Sequence, residues 1–84
     1  MANLHYNLIF HPEKEGGFTV VVPALPGCIT YGKNLTEAKA MAEDAILGYL
    51  KSLEKHNDTI PSDNNSFIAT LDLSEKSKKS PAYA

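Results

Sequence analysis

The sequence has no second cysteine: Cys28 stands alone among 84 residues, so no intrachain disulfide can form. It has no apolar run near the roughly 20 residues needed to span a bilayer. Its first residues lack the charged start and apolar stretch of a secretory signal. The expectation is a soluble, cytoplasmic protein with no membrane association. A basic surplus is also missing. Ten acidic residues face eight cationic ones, giving a net charge of −2, and Lys76, Lys78 and Lys79 fall in the last nine residues, which leaves the body acidic. Nucleic-acid binders draw much of their affinity from a basic face. The composition therefore argues against DNA binding and suits a partner that is itself basic. The chain is also short. It has room for one domain, and it buries only roughly 60–65% of its unfolded surface. Association with another chain, including a second copy of itself, would add stability.

The parts of an enzyme are scarce too. His5, His11, Cys28 and His56 are separated by 6, 17 and 28 residues, which matches no short metal-ligand pair. A half-exposed strand surface accounts for the first two equally well. Cys28 follows a Pro-Gly turn with no adjacent base. A catalytic thiol needs such a base, and Cys28 reads instead as a small buried hydrophobe. No catalytic residue, metal or cofactor is expected.

What is present is a regular pattern of elements. Leu4, Tyr6, Leu8 and Phe10 alternate with His5, Asn7, Ile9 and His11, as in a strand with one buried side. Pro12 and the polar run to Gly17 form a turn into a second, β-branched strand, Phe18 to Val22. Leu25-Pro26-Gly27-Cys28 has Pro and Gly at the central positions of a type II turn. A short third strand runs from Cys28 to Tyr31 and stops at Gly32. Asn34 then caps a helix, with Glu37 placed three residues on as in a capping box. Leu35, Ala38, Met41, Ala42, Ala45, Ile46, Tyr49, Leu50 and Leu53 form its apolar stripe, and Asn57 is its left-handed terminator. Ser66 to Leu73 reads as a fourth strand, and the Ser/Lys-rich remainder as a mobile tail. The expected class is α+β, ordered β-β-β-α-β, an antiparallel sheet with one long helix on one face. The expected division is a domain at 1–73 and a tail at 74–84.

One helix covers one sheet face. Ile9, Val21 and Ile68 would lie on the other, opposite the face set by Leu4, Phe10, Phe18, Val22, Phe67 and Leu71. Those three form the candidate partner-binding surface. The competing reading is three scattered surface apolars.

The run Gly16-Gly17-Phe18-Thr19-Val20-Val21-Val22-Pro23-Ala24-Leu25-Pro26-Gly27-Cys28-Ile29-Thr30-Tyr31-Gly32, followed by Asn34-Leu35-Thr36-Glu37-Ala38, resembles the HicB antitoxin signature. With Ile60-Pro61, the resemblance spans roughly residues 6 to 62. Ala24 departs from the acidic residue common there, and Asn57 from the usual helix-closing Gly. The resemblance implies a partial ribonuclease-H-like fold and an antitoxin that binds a HicA-type toxin and masks its RNA-cleaving site. Ribonuclease-H enzymes cluster carboxylates around two metals. Here Glu13 and Glu15 lie in the hairpin turn, Asp44 on the helix and Asp72 at the end of the fourth strand. The fold therefore reads as catalytically empty. Many HicB-like proteins add a C-terminal DNA-binding segment, which the tail is too short to form. Two alternatives stay open: an orphan regulator binding DNA as a dimer, and a catalytically empty interaction module.

Overall fold

A computed structural model describes residues 4–73. The elements are β1 (Ile9–Pro12), β2 (Phe18–Val21), β3 (Ile29–Gly32) and α1 (Leu35–Lys55). The strands form one antiparallel sheet in the order β1-β2-β3. The α+β class holds, with the long helix packed on one sheet face.

The β1–β2 hairpin closes through Glu13 N donating to Gly17 O and Gly16 N donating to Glu13 O, both at 3.0 Å. Gly17 sits at φ +81, and a Cβ there would overlap the Tyr31 hydroxyl, so no other residue fits. The type II turn forms as the spacing predicts: Cys28 N donates to Leu25 O at 2.9 Å, with Gly27 at φ +82.

Both ends of α1 are sealed. Asn34 Oδ1 accepts from Glu37 N at 2.8 Å, while Glu37 Oε1 accepts from Lys33 N at 2.6 Å. The reciprocal bond thus reaches one residue further back than in the usual capping box. At the far end Asn57 takes φ 59. Asp58 N donates to Leu53 O and Asn57 N to Glu54 O, the two bonds of a Schellman motif.

Ala38 and Ala42 are fully buried against Val20, with Leu8, Phe10 and Phe18 around them. A second cluster joins Val22, Leu25 and Cys28 to Tyr6, Ile46, Tyr49 and Leu50. The two alanines let the helix come close to the sheet, and Gly32 meets Ala38 at backbone distance. Leu35 and Met41, assigned to the packed stripe, are instead exposed. Both lie at its margin, where a sheet of three four-residue strands no longer reaches them.

Two further expectations differ from the structure. The first strand is paired only from Ile9, not from Leu4. Continuing the register past Ile9↔Val21 would set Asn7 opposite Pro23, which has no N–H to offer. The chain there bends into the turn with Val22 N donating to Cys28 O, so residues 4–8 run past the end of β2. The fourth strand over Ser66–Leu73 is also absent: the segment carries no regular structure, and Phe67, Ile68, Leu71 and Leu73 are exposed. Its pattern is that of a strand, but a strand exists only with a neighbour to bond to. The expected tail, 74–84, lies outside the described residues.

Candidate functional site

The register builds an apolar row on the face that α1 leaves open. Ile9 pairs with Val21 and Val21 with Ile29, so three branched side chains lie side by side across all three strands. On the opposite face Val20 and Phe10 pack against the helix, and the period-two alternation turns the row away from it. Ile9 is 47% and Ile29 60% exposed, while the central Val21 is half-buried between them.

A second row, His11–Thr19–Tyr31, continues the same face. Its polar groups are tied to the hairpin turn: Thr19 Oγ1 donates to Glu13 Oε2 at 2.6 Å, and Tyr31 OH donates to Gly16 O at 2.9 Å. The open face thus has a hydrophobic centre and a fixed polar margin. Protein interfaces share this arrangement of an apolar core and a hydrogen-bonding rim.

Of the three residues expected from sequence, the structure brings Ile9 and Val21 together and leaves Ile68 apart, in the segment without regular structure after the helix. Ile29 completes the row and was missed. Its signal was available, since it follows the Pro-Gly turn by two residues in a strand that must pair with β2.

An apolar groove of about 370 Å³ opens on the helix side, between Leu4, Tyr6 and Leu8 of the N-terminal segment and Ile46, Leu47 and Leu50 of α1. Lys39 and Glu43 stand at its margin. The Tyr6 hydroxyl donates to Pro61 O at 2.5 Å. Burial, with a smaller contribution from the Asp63 carboxylate, pushes the Tyr6 phenol above its usual pKa.

Cys28 is buried and free, and that burial pushes its thiol pKa upward, away from the thiolate a nucleophile needs. Among the described residues, no group of three or more His, Cys, Asp or Glu converges as a metal site. Glu13 is engaged by Thr19, and Glu37 by the helix start. No described helix is long and apolar enough to cross a membrane.

Comparison with known proteins gives consistent matches. The family model described as the HicB-like antitoxin of bacterial toxin–antitoxin systems matches residues 6–80. The UPF0150 protein Ta0767 of Thermoplasma acidophilum is 46% identical over 61 residues, covering 73% of this chain and 88% of that protein. The UPF0150 protein ssl0259 of Synechocystis is 34% identical over 61 residues, covering 70% and 81%. Antitoxin HicB 1 of Photorhabdus laumondii is 34% identical over 61 residues. That match covers 73% of this chain but only 39% of that antitoxin.

Proposed function

We propose that this chain, which belongs to the HicB-like antitoxin family, acts in the cytoplasm by binding and masking a small basic, RNA-cleaving toxin of the HicA type. Its work is binding rather than catalysis. The observation that carries the reading is the Ile9–Val21–Ile29 row, an apolar strip across a sheet face that no element among the described residues covers.

Charge supports the same partner. Residues 4–73 hold nine Asp and Glu against five Lys, an excess of four negative charges with His counted neutral. A basic ribonuclease needs cationic groups to hold RNA phosphates. An acidic surface competes for those groups and speeds the encounter. Apolar burial at the row then supplies affinity, and the acidic surroundings supply orientation.

Co-expression with the product of an adjacent short basic reading frame tests the proposal. A stable complex that no longer cleaves RNA is the expected result. Free, active nuclease in the presence of excess folded chain would refute it.

A further inference from the structure

The segment after the helix touches the chain just before β1 and then leaves it. Asp63 N donates to His5 O at 2.7 Å, and Asn7 N donates to Asp63 Oδ2 at 2.9 Å. Those two bonds straddle Tyr6 as the first rung of a parallel ladder would, except that a carboxylate oxygen replaces the main-chain carbonyl. The Asp63 carbonyl is used elsewhere: it accepts from Ser66 N at 3.0 Å in a turn that takes the chain off the edge. A parallel strand alongside residues 5–7, just before the chain's own β1, therefore stops after one rung.

Beyond that turn lies a segment built to be a strand. Phe67, Ala69, Leu71 and Leu73 alternate with Ile68, Thr70 and Asp72. Phe67 is 88% and Leu71 79% exposed. Two features of the body match the segment. β1 is an edge strand, and beside it lies the groove lined by Leu4, Leu8, Ile46 and Leu50. An open edge next to an apolar groove is a template for an added strand.

We propose that two copies of this chain exchange residues 66–73, each lending the segment as an extra strand to the β1 edge and groove of the other. Phe67, Leu71 and Leu73 enter the partner's groove. Ile68 falls on the opposite side and extends the partner's Ile9–Val21–Ile29 row. Eight residues span about 26 Å as a strand, more than the length of β1 that stays open beyond the Asp63 rung. The exchange is reciprocal and closes under two-fold symmetry, so it leaves no free copy of either surface. Four apolar side chains per segment, at about 100 Å² each and matched by a similar area of groove, bury on the order of 1,600 Å² over both sites. That is the size of a stable interface. The inference does not depend on toxin binding.

Light scattering on the purified full chain at micromolar concentration should give the mass of two chains. Phe67→Asp/Leu71→Asp, at exposed positions, should halve that mass and leave the helical circular dichroism unchanged. Mixing separately purified Phe67→Cys and Leu47→Cys chains under mild oxidation should yield a disulfide between different chains. The natural chain, with Cys28 buried, should yield none. A monomeric natural chain would overturn the proposal, as would a dimer that survives the double Asp substitution. So would a Phe67→Cys/Leu47→Cys chain that closes its disulfide within itself, since the segment would then fold onto its own groove.

Discussion

Gly32 and Ala38 meet at backbone distance: a Cβ on Gly32 would overlap the main-chain nitrogen and Cα of Ala38. The contact joins the end of β3 to the first turn of α1. It sets how closely the helix lies on the sheet. Gly32→Ala forces the helix outward and loosens the packing of Ala38 and Ala42 on Val20. Overpacking of this kind costs about 1–3 kcal/mol, so urea unfolding should show a midpoint lowered accordingly. An unchanged midpoint would mean that the helix seat is looser than the contact implies.

The helix start rests on one side chain. Asn34 Oδ1 accepts from Glu37 N, an otherwise orphaned donor of the first turn. Asn34→Ala should lower stability by about 1 kcal/mol, whereas Asn34→Asp should retain most of it. Thermal melts of the three proteins make the comparison.

Tyr31 and Gly17 hold the polar margin of the open face. Gly17→Ala places a methyl group on the Tyr31 hydroxyl at a backbone conformation alanine resists. Tyr31→Phe removes only the bond to Gly16 O. The expected order is a larger stability loss for Gly17→Ala, above about 1 kcal/mol, and a smaller one for Tyr31→Phe, about 0.5–1.5 kcal/mol. The reverse order would show that the hydroxyl bond, not the close approach, fixes the turn.

The Tyr6 phenol gives the fold an alkaline limit. Its pKa in the folded chain is raised above the ordinary 10.0, chiefly by burial and then by Asp63. Folding therefore favours the neutral form. The associated stability is complete below the unfolded pKa and is lost as pH rises through the folded one. Stability measured from about pH 9 to pH 11 should fall more steeply for the natural chain than for Tyr6→Phe. Parallel curves would remove Tyr6 as the cause.

Much of this fold is legible in the sequence because it is local. The Pro26-Gly27 turn, the Asn34 cap and the Asn57 terminator are each decided by a few neighbouring residues, and each forms where the sequence predicts. Strand pairing is not local. Leu4 to Leu8 alternate as a strand should, yet Pro23 removes their partner on β2. Ser66 to Leu73 alternate equally well, yet the bond from Ser66 N to Asp63 O turns the chain away from β1. The open face follows the same division. Ile9 and Val21 were readable from alternation within a hairpin. Ile29 needed the β2–β3 register, and Ile68 lies in the segment that the Asp63–Ser66 turn takes off the edge.

The measurement that bears most directly on the account is capture of the adjacent basic reading frame's product by natural and Val21→Asp chains, read beside circular dichroism. Val21 is the centre of the row and is only half-buried, so an aspartate there places a charge in the apolar strip while leaving the helix-side core of Val20, Ala38 and Ala42 intact. The natural chain should form the complex and suppress RNA cleavage. Val21→Asp should keep the natural circular dichroism and lose at least about tenfold in affinity, since burying an unpaired charge costs more than 1.4 kcal/mol. A folded Val21→Asp chain that binds the product as tightly as the natural one would contradict the central claim.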